Sequence, residues 1–110
     1  MTYRRIPSRY GTVRVWVGGP VPPGSAAITL GRLIIVRRAA ADDGRLLRHE
    51  MVHVGQWHDL GVFGFLRSYL GAYFAGRRRG LGHTDAYRAI PLEVEAELGS
   101  MPLAEPPGPG

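Results

Sequence analysis

The chain reads as an α+β domain, a small antiparallel sheet followed by a helix carrying the motif His49-Glu50-Met51-Val52-His53, a second apolar helix and a glutamate-bearing helix. Three observations predict this. Period-two alternation and β-branched runs are confined to the segment before Arg38. Helix caps, glycine stops and i, i+4 spacings govern the remainder. Finally, 110 residues with 45% hydrophobic content suffice for one small core and no more.

The elements follow in order. Residues 1–10 carry Arg4, Arg5 and Arg9 and read as a basic, flexible lead to a domain over 11–100. Thr12 to Val17 alternates with Val13, Val15 and Val17 on one face, which predicts a strand. Gly18 to Gly24 is a loop by its glycines and prolines. Ala26 to Leu30 and Leu33 to Arg37 are two further strands with Gly31-Arg32 as the turn between them, one continuous bent strand being the alternative. Asp42 or Asp43 then caps a helix running to about Leu60, stopped by Gly61. A second helix covers Val62 to about Ala75, where Phe63, Phe65, Leu66, Tyr69, Leu70, Tyr73 and Phe74 make it strongly apolar. It is too short for a good membrane span and reads as a packed core helix. Thr84 or Asp85 caps a short turn through Arg88. Pro91 suits the first turn of a last helix that Gly99 ends after Leu98. Residues 101–110 hold four prolines and two glycines and read as an extended tail, long enough to reach the site and restrain it, with Glu105 a conceivable metal partner.

Composition narrows the chemistry. There is no cysteine, so disulfides and thiolate metal sites are excluded and any metal must be held by imidazole and carboxylate. All 14 basic residues are arginine and the net charge is +5. Arg4, Arg5 and Arg9 and the run Arg77-Arg78-Arg79 are basic clusters, but no nucleic-acid motif accompanies them, so a nucleic-acid partner is not expected. A membrane surface, reached by an interfacial helix anchored at Arg77 to Arg79, is a secondary expectation. No apolar run precedes Gly11, so a signal peptide is not expected and the expected location is cytoplasmic.

The motif carries the functional expectation. His49 and His53 are four residues apart, so on a helix both rings reach one ion from the same face. Glu50 projects beside that site, where a carboxylate can take a proton from water. Leu46 and Leu47 precede the motif and Met51, Val52 and Val54 fill its non-ligand positions, so that apart from Arg48 the helix around the ligands is uncharged, as in one crossing a core. A hydrolytic zinc site needs a third protein ligand and one position left open. Downstream, Glu93 and Glu97 share one face of the last helix and Glu95 points elsewhere.

His49-Glu50-x-x-His53 together with Glu93-Val94-Glu95-Ala96-Glu97 resembles the gluzincin clan of metallopeptidases, whose second helix often carries E-x-x-A-D. The order of elements is similar to that of minigluzincins and of short, uncharacterised bacterial H-E-x-x-H families, over about Ala26 to Leu98. The resemblance implies Glu93 as the third zinc ligand. Glu97 stands where those families place an aspartate that supports a ligand histidine. Asp85 and Asp59 are the rival ligands, in that order. Asp59 falls at the metzincin ligand position, but Gln56 occupies the place of the glycine that pattern needs, and His58 faces largely away from His49 and His53. The function so implied is a zinc-dependent peptidase acting on a peptide or protein substrate through a zinc-bound water activated by Glu50. Leu33 to Arg37 would offer a sheet edge for an extended peptide. Tyr87, ahead of Arg88 and His83, is the candidate oxyanion donor. The alternative is a metal-stabilised interaction module of a secretion or toxin assembly with little turnover, which would have no use for Glu50.

Overall fold

The computed structural model of the chain describes residues 2–100, in the order β1 (Thr2–Ser8), β2 (Gly11–Val17), β3 (Ala27–Leu30), β4 (Leu33–Val36), a 3₁₀ turn (Arg38–Ala40), α1 (Gly44–Arg78), α2 (His83–Arg88) and α3 (Pro91–Ser100). The tail 101–110, and with it the expectation that it restrains the site, lies outside the described residues.

The class is α+β, but the sheet is mixed rather than antiparallel. Its strand order is β1-β2-β4-β3. β1 pairs antiparallel with β2, β4 antiparallel with β3, and β2 runs parallel to β4, with Val15 opposite Ile34 and Val17 opposite Val36. The sequence predicts three consecutive strands in one antiparallel sheet. The loop after β2 instead steps over one strand position, roughly 10 Å, and β4 returns into the gap. The continuous Leu33-Ile34-Ile35-Val36 run is the pattern of an interior strand. Leu33 to Arg37 is therefore not a free edge. The edge on that side is β3.

The basic lead also needs correcting, because Thr2–Ser8 is a strand, in register with β2 from Thr2↔Val17 to Ser8↔Gly11. Its side chains are mostly exposed. An edge strand tolerates the charges of Arg4 and Arg5 and also Pro7.

Val13, Val15 and Val17 line one face, as their alternation predicts, and meet Ile34, Val36, Ala41 and Val54 of α1 in the core. Burying each such side chain is worth about 1.5–3 kcal/mol. α1 begins at Asp43, whose carboxylate accepts from the Leu46 N–H at 3.2 Å. Gly61 interrupts α1 with φ 71° and ψ 171°, backbone that only glycine adopts readily, so α1 has two arms, 44–60 and 62–78. α3 continues through Gly99 to Ser100 rather than ending before it. A Cβ at Gly99 would sit 2.7 Å from Val52 Cγ2, so this glycine lets α3 lie against α1. Arg48, the lone charge among the motif's flanks, ties the two helices by donating to the Ser100 carbonyl at 3.0 Å.

Candidate metal centre

Close contact between α1 and α3 brings the sequence-predicted residues together. His49, Glu50 and His53 project from one stretch of α1, and their donor atoms lie within 4.8 Å of one another, a group that could hold a metal ion. Glu93 comes from the first turn of α3. Its Oε1 lies 3.1 Å from His49 Nε2 and 3.3 Å from His53 Nε2. Glu50, His53 and Glu93 are buried.

Two carboxylates therefore compete for the third place beside the histidines. Glu93 Oε1 lies at hydrogen-bond distance from both Nε2 atoms. Glu50 groups with the same histidines but packs against Thr29 of β3, whose hydroxyl donates to the Glu50 backbone carbonyl at 3.3 Å. Burial pushes the Glu50 carboxyl up, and the neighbouring histidines offset only part of this. Burial also pushes Glu93 up. Hydrogen bonds from His49 and His53 outweigh it and hold Glu93 well below the usual carboxylate range. The hydrogen bond to Glu93 raises His49. At His53 burial acts downward, but Glu93 prevails and the imidazole is raised.

Partners on the far side of each ring fix which nitrogen faces the site. Gln56 donates its Nε2–H to the Leu92 carbonyl at 2.9 Å, which turns its Oε1 to His53 Nδ1 at 2.8 Å. Nδ1 must then carry a proton, and Nε2 is the nitrogen that faces Glu93. Glu97 Oε2 accepts from His49 Nδ1 at 3.2 Å in the same manner, and Glu97 is held in turn by Arg45. Among the described residues, no buried side-chain nitrogen or oxygen lacks a partner.

Sequence reasoning missed Gln56 and Tyr69. Gln56 served only to exclude the metzincin pattern. Its i, i+3 spacing from His53 was the available signal. Tyr69 was read as one more core aromatic. Its hydroxyl donates to Glu93 Oε2 at 2.5 Å, and its phenol is pushed far up by burial and then by that carboxylate. Phe65, Tyr69 and Tyr73 recur at i, i+4 and so share the inner face of the 62–78 arm. Phe65 stacks on Trp57 with centroids 4.0 Å apart, beside His53.

The rivals lie elsewhere. Asp85 is exposed in the first turn of α2. Asp59 is exposed and lines a separate hollow with Arg9 and Glu95, and His58 packs against Tyr10. His83 is bonded through Nδ1 to the Tyr73 hydroxyl at 2.8 Å. An open cleft of about 660 Å³ runs past His49 and Glu50 between Ala27 of β3 and Tyr87 and Arg88 of α2. Its size is that of a ligand site. Tyr87 is partly exposed to this cleft, and its hydroxyl is pushed up by burial and by the Glu93 charge. Compared with family models, curated proteins and solved structures, the chain finds no match.

Proposed function

We propose that the chain is a zinc-dependent peptidase of gluzincin type, with His49, His53 and Glu93 as the metal ligands and Glu50 as the general base. The observation that carries the reading is the convergence of two imidazole nitrogens and one carboxylate oxygen, Glu93 Oε1 lying 3.1 and 3.3 Å from the two nitrogens. Donor atoms about 2.0–2.1 Å from a tetrahedral zinc stand about 3.3 Å apart, and both nitrogen–oxygen separations match that spacing. Two nitrogens and one oxygen are also the ligand chemistry of hydrolytic zinc.

A zinc ion held by His49, His53 and Glu93 would supply Lewis acidity, lowering the pKa of a water from about 15.7 to about 7 and polarising a carbonyl. The chain's own residues do the rest. Glu50, buried at the edge of the cleft with a raised carboxyl pKa, accepts the proton that water loses and returns it to the leaving amine. Gln56 and Glu97 hold the imidazoles in the tautomers that present Nε2. Tyr87, at the cleft wall, donates its O–H to the oxygen that gains charge. An extended peptide pairs with the edge of β3 beside Ala27, which lines the cleft, because the Thr29 carbonyl further along already accepts from the Trp57 indole at 3.1 Å. The test is digestion of a peptide library by zinc-loaded protein, with a chelator and with zinc added back. Cleavage lost on chelation and restored by zinc is expected. Zinc-loaded protein that cleaves nothing would return the chain to the interaction-module reading.

Tyr69 adds a second expectation. Its hydroxyl donates to Glu93 Oε2, which also lies 3.2 Å from His53 Nε2, so the phenol fixes how the carboxylate faces the histidines. Tyr69→Phe removes that hydrogen bond and keeps the ring stacked on Phe65. Zinc affinity, measured by competition with a chromophoric chelator, is expected to fall about 10- to 100-fold. Unchanged affinity would mean that Tyr69 is ordinary packing.

A further inference from the structure

The 62–78 arm of α1 has two unlike faces. The inner face sends Phe65, Tyr69 and Tyr73 to Trp57, Glu93 and His83. The outer face carries Phe63, Leu66, Leu70 and Phe74, which at 100° per residue fall within an arc of about 80°. All four are exposed, Phe63 at 87% and Phe74 at 56%. Contiguous apolar exposure of this kind marks an interaction site.

The charge around the stripe is of one sign. No acidic residue occurs between Asp59 and Asp85, while Arg67 borders the stripe and Arg77, Arg78 and Arg79 close its C-terminal end. All four arginines are exposed. Among the described residues no helix is long and apolar enough to cross a membrane.

We propose that this face seats on an anionic lipid surface, with Phe63, Leu66, Leu70 and Phe74 in the headgroup–acyl boundary and the arginines on the headgroups. An apolar stripe edged by cations is the pattern of a helix lying in that interface. A second copy is the poorer occupant. Parallel stripes would bring the arginine runs close together, and antiparallel ones would set each run beside the other copy's Phe63, with no acid in the segment to neutralise it. A nucleic acid would match the charge but leave the aromatic stripe without a role. The docking is independent of the metal chemistry. Its consequence for the centre is proximity, because the arm that meets lipid also carries Tyr69.

The test is co-sedimentation of the full chain with vesicles of phosphatidylcholine alone and of phosphatidylcholine mixed with phosphatidylglycerol. Binding to the mixed vesicles, weakened by salt, is expected, with far less on the neutral ones. R77Q/R78Q/R79Q should reduce partitioning about a hundredfold, roughly fivefold per arginine. F63S/F74S should reduce it at least about tenfold. Both variants should keep the parent's circular dichroism, since every substituted side chain is exposed. Three results would overturn the proposal. One is failure of the parent to bind mixed vesicles at low salt. Another is binding indifferent to F63S/F74S, which would leave charge alone. The last is a parent dimer in sedimentation that F63S/F74S converts to monomer, which would assign the stripe to a second copy.

Discussion

Glu50→Gln is expected to keep zinc bound while peptide cleavage falls by about 10²- to 10⁴-fold, the usual contribution of a general base. The substitution is nearly isosteric at a buried position. It removes a carboxylate from a site that burial already makes unfavourable for charge, so the fold should hold or gain slightly. Glu93, not Glu50, is the carboxylate that faces both Nε2 atoms, so metal content should not change. Rates with a fluorogenic peptide and zinc content should be measured on the same preparation. Parental cleavage would remove Glu50 from the base role. Loss of zinc would instead make Glu50 a ligand and reopen the choice between the two carboxylates.

Glu93→Ala should weaken zinc binding by more than about a hundredfold, beyond the range of supporting residues. Among the described residues it deletes the one carboxylate within hydrogen-bond distance of both imidazoles. Glu95→Ala should change little, because Glu95 is exposed on another side of α3. Asp85→Ala should also be silent, given its exposure in α2. Zinc affinities of the three variants, measured side by side, rank the ligands. A dominant loss from Asp85→Ala or Glu95→Ala would overturn the assignment. The pairing of variants also guards against misfolding, since Tyr69 and both histidines lose a partner in Glu93→Ala and the silent controls do not share that burden.

The grouping of donors was legible because it depends on local geometry. The i, i+4 spacing of His49 and His53 on one helix, and of Glu93 and Glu97 on another, survives whatever the tertiary fold does. The break at Gly61 and the cap at Asp43 were legible for the same reason. What escaped depends on non-local partners. Nothing in Tyr69's neighbourhood along the chain announces Glu93, 24 positions away. Gln56 orients His53 only because Leu92 presents its carbonyl from α3. The parallel β2–β4 pairing escaped because strand order is set by how the loop after β2 crosses the sheet, and alternation within a strand does not encode its neighbour. Residues 2–8 escaped because an edge strand needs little apolar surface.

The central claim is that His49, His53 and Glu93 together hold one zinc ion. Elemental analysis of protein purified without chelators, repeated after stripping and dialysis against zinc, tests it most directly. About one zinc per chain is expected in the parent, and His49→Ala or His53→Ala should abolish it. A parent chain that is metal-free as purified and takes up no zinc on reconstitution would contradict the account.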